Sequence, residues 1–165
     1  ATEVINTFEN IYEEKWLNLM RDKLGLFGKD KNDQILIMEL LTWMCKNKVD
    51  YTNTFCFLMN EPFSDNKIYN DKIFLIWKEK WGSRLKLNNN SKEKYLRLMH
   101  SVNPLIIPRN HKVEEALAAA NDGNLEVMNK LLIVLEKPYE KQNDITDFQS
   151  PPPLSNKNYQ TFCGT

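Results

Sequence analysis

The residues on which a nucleophile or a metal site would rest are three cysteines, Cys45, Cys56 and Cys163, and two histidines, His100 and His111. The thiols show no C-x-x-C spacing, and the histidines lie on either side of the stretch "SVNPLIIPRN", with no thiol or carboxylate cluster beside them. A zinc site needs several ligands to converge, so no metal site is expected here. His100 suits the end of a helix and His111 the start of one. A remote Cys–His nucleophile pair is formally open but has no supporting signal. The chain has no Gly-rich phosphate loop of Walker or Rossmann type and no H-E-x-x-H. No catalytic residue is assigned.

Cys163 stands apart from the other two thiols. It sits beside Gly164 in "NYQTFCGT", beyond Pro151, Pro152 and Pro153, with no apolar periodicity around it. A mobile terminal thiol can close a disulfide onto a distant cysteine at a rate set by its thiolate fraction and access. Cys163 is therefore the redox candidate, with a plain tail residue as the competing reading. Cys45 and Cys56 read as small core residues. Trp77 and Trp81, one helical turn apart, could stack a base or a sugar, but aromatics at that spacing are more often core. Arg109 and Asn110 are the other candidates. Asn110 can cap a helix while Arg109 satisfies connector carbonyls, or the two can reach toward an active site as support.

These residues sit in a chain of 165 residues that is 42% hydrophobic and 11% aromatic, enough for one sizeable core. The 22 basic and 22 acidic residues cancel, which argues against a nucleic-acid partner held by phosphate contacts. Uncharged runs such as "IFLIW" are too short to cross a bilayer, and no signal peptide opens the sequence, so neither a membrane nor a secreted location is expected. Unpaired cysteine spacing fits a reducing cytoplasm. Ala1 is not a start methionine, so a piece of a longer protein is expected.

Helical periodicity runs through most of the chain. Ile5, Phe8, Tyr12, Trp16 and Leu19 share one stripe of a first helix, which stops at "KLGLFG". Asn32 is the expected cap of a second helix carrying Ile37, Leu40, Leu41 and Met44, and Asp50 that of a third, ended by Pro62. A fourth, from about Asp71 to Leu85, has Phe74, Trp77 and Trp81 on one side and Ile73, Leu75 and Ile76 around the rest, which predicts burial on more than one face. Ser91 caps a fifth helix through Met99. Pro104 and Pro108 stiffen the connector that follows. Asn110 then caps a helix with Val113, Ala116, Leu117 and Ala120 on one side, and "NDGN" turns the chain. Asn124 caps a last helix with Leu125, Met128, Leu131, Leu132 and Leu135. The two form an antiparallel hairpin. It looks like one ankyrin repeat, but a single copy without a "TPLH" start cannot stack. After Pro138 no periodicity appears. The expected architecture is all-α: an irregular helical domain over 1–137 with a C-terminal helix hairpin, then an extended Pro-rich tail over 138–165.

The ordered set "WLNLMRDKLGL", "VDYTNTF", "WKEKWGSRL", "NPLIIPRNHKVEEALAAANDGNLEVMNKLLIVLEKPYE", "PPP" and "YQTFCGT" resembles the carboxyl-terminal end of the selenoprotein O family. Animal members carry selenocysteine at the position of Cys163. The resemblance covers nearly the whole chain and implies the helical part of a protein-kinase-like fold that has lost kinase activity. It implies a bacterial, cytoplasmic protein adenylyltransferase that moves AMP from ATP to Ser, Thr or Tyr hydroxyls of protein substrates. ATP and Mg (or Mn) are implied for the intact enzyme, whose nucleotide-binding residues belong to an N-terminal kinase-like part that would be this region's partner. None of them can be carried over here, so the region alone is expected to be inactive. Where the family commonly has arginine after "YTxxF", this chain has Cys56. A redox role for Cys163, through a disulfide to the rest of the enzyme, is implied likewise. An enzyme part of this kind should expose an apolar patch above several hundred Å². The alternative, a stand-alone helical interaction module using the hairpin groove, should present a closed surface. A small redox protein using Cys163 would lack a nearby resolving cysteine.

Overall fold

The computed structural model describes residues 2–61, 67–87 and 89–152, with side chains from residue 7 onward. Among these, eight α-helices follow one another: α1 (Thr2–Lys23), α2 (Asp33–Asn47), α3 (Tyr51–Leu58), α4 (Lys72–Lys86), α5 (Lys92–Val102), α6 (Asn110–Asn121), α7 (Glu126–Glu136) and α8 (Thr146–Gln149). A 3₁₀ turn, Lys67–Asn70, leads into α4. The described chain is all-α, as the periodicity predicts.

Helix α1 packs on α2 and α5, α2 packs on α4, and α6 and α7 pair as the expected hairpin. Leu24, Ile37, Leu40, Phe55, Phe74 and Met99 are fully enclosed at the centre. Trp77 and Trp81 are core residues, as favoured. Their rings stack nearly parallel at 6.0 Å, and each indole N–H is satisfied inside the protein, Trp77 Nε1 donating to the Leu36 carbonyl and Trp81 Nε1 to that of Leu24, both at 2.8 Å. A buried indole that finds a backbone acceptor costs nothing in unpaired polarity. Gly25 passes between α1 and the following turn at φ +68°, where an added Cβ would stand 3.1 Å from Met99 Cγ and Tyr95 Cβ.

The expected caps at Asp50 and Ser91 form, and Asp71, expected only as the approximate start of its helix, caps α4. Asp50 accepts from Asn53 N and Ser91 from Lys94 N, while Asp71 accepts from Ile73 N and Phe74 N. Three asparagines depart from expectation. Asn32 stands at the cap position of α2 in helical geometry and makes no side-chain cap bond. Asn110 is the first residue of α6, with Arg109 at the cap position and no side-chain bond to the helix. Asn124 lies one residue early: its Oδ1 accepts from Glu126 N, and Leu125 holds the cap position of α7.

Several apolar stripes are also rotated from their expected orientation. In α1, Phe8, Tyr12 and Leu19 of the expected stripe are exposed while Trp16 packs on the core as expected, joined there by Leu17, Met20 and, just past the helix end, Leu24. Ile73, Leu75 and Ile76 of α4 are exposed, so this helix is buried on one face only. In the hairpin Ala116 and Leu131 are buried, whereas Leu117, Leu125 and Leu132 face solvent, because each helix covers little more than one side of the other. Of the two described cysteines, Cys45 is exposed on α2 and Cys56 is a core thiol. The described part of the expected tail, up to residue 152, is tied to the domain: the Pro138 carbonyl accepts from Leu105 N and Ile106 N, and Ile145 and Phe148 pack on the core around α8. Residues 153–165 lie outside the described residues. A four-residue helix offers too few positions for a period to show.

Candidate functional site

Two elements converge on Arg109. The buried pair Leu105 and Ile106 fixes the connector from one side, and the start of α3 presents Asp50 and Asn53 from the other. Arg109 is 7% exposed. Its Nη1 donates to Asp50 Oδ2 at 2.6 Å, and its Nη2 to Asp50 Oδ1 at 3.0 Å and Asn53 Oδ1 at 3.1 Å. The guanidinium thus binds side chains, not the connector carbonyls that the sequence suggests. Arg109 Nε is buried with no hydrogen-bond partner among the described residues. Burial works to raise the Asp50 pKa, but the Arg109 hydrogen bond and the Asn53 N–H outweigh it and hold the carboxyl below its ordinary value. Asn53 Nδ2 extends the node to the Gln149 carbonyl, and Gln149 Nε2 donates to the Leu105 carbonyl, both at 3.1 Å. One arginine therefore ties the starts of α3 and α6 to α8. Asn110 is exposed and takes no part.

A second buried ion cluster escaped sequence reasoning. Asp33 receives Arg21 Nε at 2.6 Å and Arg84 Nε at 2.7 Å, while Arg84 Nη2 also reaches the carbonyls of Phe27 and Gly28 at 3.2 Å. Burial opposes ionisation of Asp33, yet the two arginines and the Asp30 N–H hold its pKa below the ordinary range. The partners are 12 and 51 residues from Asp33, so no local pattern announces them. With Asp33 committed to these arginines, the start of α2 is fixed by a buried charge and not by Asn32.

Glu61, buried, lies 3.5 Å from His100 Nε2 and 3.0 Å from Lys141 Nζ. His100 closes α5 as expected, facing a carboxylate. Burial, reinforced by the Lys112 charge, lowers the His111 pKa on α6. The two histidines do not share a site. Among the described residues, no three His, Cys, Asp or Glu side chains converge as a metal ligand set, and no helix is long and apolar enough to cross a membrane. Cys163, the redox candidate, lies outside the described residues.

A third feature is open to solvent. Between α2 and α4 runs a groove of about 790 Å³ with Ile35, Met38, Ile73 and Ile76 on its walls and the edges of Trp43 and Trp77 beneath. The Asp33–Arg84 ion pair ties together the two helices that form it.

The family described as "Protein adenylyltransferase SelO" matches residues 2–136. The chain belongs to this family. It is 53% identical over 165 residues to a protein nucleotidyltransferase YdiU of Pelagibacter ubique, and 44% identical over 165 residues to that of Clostridium beijerinckii. A third such relative, from Nitrosococcus oceani, is 42% identical over 166 residues. Each alignment takes in the whole chain, which spans 34% of the length of each relative. The SelO match includes Arg109 with Asp50 and Asn53, the Asp33 cluster and the α2–α4 groove, and ends ahead of Lys141 and of Gln149 on α8.

Proposed function

We propose that this chain is the helical, carboxyl-terminal part of a protein adenylyltransferase, whose intact polypeptide transfers AMP from ATP to Ser, Thr or Tyr hydroxyls of protein substrates. The observation that carries this reading is the SelO match over residues 2–136. In this reading the region supports a kinase-like lobe and does no chemistry of its own. The state of its buried charges favours that division of labour. Asp33 and Asp50 are occupied by arginines, and the buried Glu61 is held by Lys141. Carboxylates so committed do not fit ATP-bound Mg or Mn, whose coordination calls for oxygen ligands open on one side. The reading therefore places nucleotide and metal in the remainder of the polypeptide, with Arg109 as a structural support.

The open apolar side chains of the α2–α4 groove fit a region that packs against more protein better than they fit a closed stand-alone module. Cys163 is the proposed redox element, pairing with a cysteine elsewhere in the intact enzyme. Non-reducing peptide mapping of the intact protein after oxidant treatment should find Cys163 in a disulfide; a fully free thiol removes this role. For the activity itself, the intact polypeptide given ATP and Mg or Mn should attach AMP to protein hydroxyls, located by mass spectrometry, and this 165-residue chain alone should attach none. An intact polypeptide that transfers no AMP, or a chain that does so unaided, overturns the proposal.

A further inference from the structure

The groove between α2 and α4 has the dimensions and chemistry of a helix seat. Ile35, Met38, Ile73 and Ile76 are 60%, 47%, 57% and 48% exposed, and all four line it. Single exposed apolar side chains are ordinary on a protein surface, whereas four converging on one concavity mark a surface that meets another. The groove continues past the Glu39–Lys80 ion pair, 2.7 Å long, into a hollow of about 480 Å³ that ends at the exposed Leu87. From Ile73 to Leu87 the helical rise of ~1.5 Å per residue gives about 21 Å, or roughly four turns.

Both walls are helices, whose backbone groups are paired internally. An extended peptide laid between them would find no ladder for its own N–H and C=O groups, while a helix brings its backbone bonds with it. The charge on the walls narrows the occupant further. Lys31 and Lys46 stand at the two ends of α2 without a salt-bridge partner among the described residues, although the Lys46 charge also acts on the nearby Asp71. Lys80 is matched by Glu39 and Arg84 by Asp33, and Asp30 is the one further acid of the lining. The excess is positive, so an occupant with carboxylates at its ends is complementary.

We infer that the α2–α4 groove seats an amphipathic helix of about four turns with acidic residues toward both ends, supplied by the remainder of the same polypeptide. The source follows from length: the chain spans 34% of its relatives, so a polypeptide of their size holds about twice as much sequence beyond it. A tethered segment also meets the groove at high effective concentration. The inference rests on reading this chain as part of a longer adenylyltransferase.

The test uses the intact polypeptide with Met38→Cys or Ile76→Cys carrying a benzophenone maleimide, with peptide mapping to distinguish these sites from the native thiols. Irradiation should join either position to one peptide of the same polypeptide outside these 165 residues, helical in pattern and bearing Asp or Glu. Lys31→Glu with Lys46→Glu should cut that yield by about tenfold while circular dichroism stays unchanged. A cross-link between two copies, a cross-link to a foreign protein, an undiminished yield in the double variant, or no cross-link in a folded sample overturns the inference. AMP transfer is assayed on the same sample. Cross-linking without transfer sinks the activity reading and leaves the groove assignment standing, and transfer without cross-linking does the reverse.

Discussion

Arg109 grips both carboxylate oxygens of Asp50 across 59 residues of sequence, and the same Asp50 caps α3 through Asn53 N. The pair is buried on the arginine side, so its two halves are unequal in what their loss exposes. Arg109→Ala strands a carboxylate and an amide oxygen and should destabilise the protein by about 3 kcal/mol. Arg109→Lys should recover only part of that, because an ammonium cannot span both oxygens. Asp50→Asn keeps a capping side chain but leaves the buried Arg109 guanidinium without a counter-charge, so it should cost at least as much as the arginine loss. Urea unfolding of the single and double variants checks this, and strictly additive effects would show that the two residues are not coupled.

Asn110 offers the contrast. As a helix cap its removal would cost on the order of 1 kcal/mol. As an exposed first helical residue without a cap bond, Asn110→Ala should stay within about 0.5 kcal/mol of the parent. The same unfolding measurement decides between these values.

Why Asn110 misleads shows what a sequence can carry. Helices α1 to α7, their order, the hairpin and the caps at Asp50 and Ser91 were legible because each depends on spacing within a few residues. The burial of Trp77 and Trp81 was legible because large aromatics one turn apart make one face. Which way α1, α4 and the hairpin turn their remaining apolar residues was not, since a helix with apolar residues all round does not say which side has a neighbour. The ion clusters at Asp33 and Asp50 were not legible either. Their partners meet only after the chain has folded, and nothing local in "NDQ" or "VDY" distinguishes a surface aspartate from a buried one. Cys45, late in a helix and followed by "KNK", and Cys56, inside the run "FCFLM", both read as core, yet one is exposed and the other enclosed.

Acid should unfold the protein through those clusters. The folded pKa of Asp33 lies below its unfolded value, so its contribution is present above the unfolded value of about 4 and is lost as pH falls through the folded one. Asp50 behaves alike. Thermal midpoints should therefore hold from neutral pH to about pH 4 as far as these two groups are concerned and drop below it. Asp33→Asn should lower the neutral-pH midpoint and flatten the acid limb. A variant whose midpoint falls with acid as steeply as the parent would show that Asp33 is not the group titrating.

The two described thiols should separate under alkylation. Burial pushes the Cys56 thiol up to about 12, with the charges of Glu61 and Asp50 adding to the effect, whereas Cys45 is open to solvent. Reactivity follows thiolate fraction and access, and Cys56 lacks both. Iodoacetamide at mildly alkaline pH should modify Cys45 within the native protein and Cys56 only after urea is added. Equal labelling of the two in the native state would contradict the enclosed position of Cys56.

Gly25 and Gly123 both adopt positive φ, at +68° and +83°, but differ in their surroundings. A methyl group at Gly25 meets Met99, Tyr95 and the Tyr95 carbonyl oxygen at 3.1 Å, while one at Gly123 meets nothing within 4 Å. Gly123→Ala should thus cost only the left-handed conformation, about 1 kcal/mol. Gly25→Ala adds crowding between α1 and α5 to the same backbone cost and should reach about 2 to 3 kcal/mol. The difference between the two unfolding free energies isolates the packing part. Equal losses would mean that α5 yields freely at Tyr95 and Met99, which is incompatible with Met99 being fully enclosed in the core.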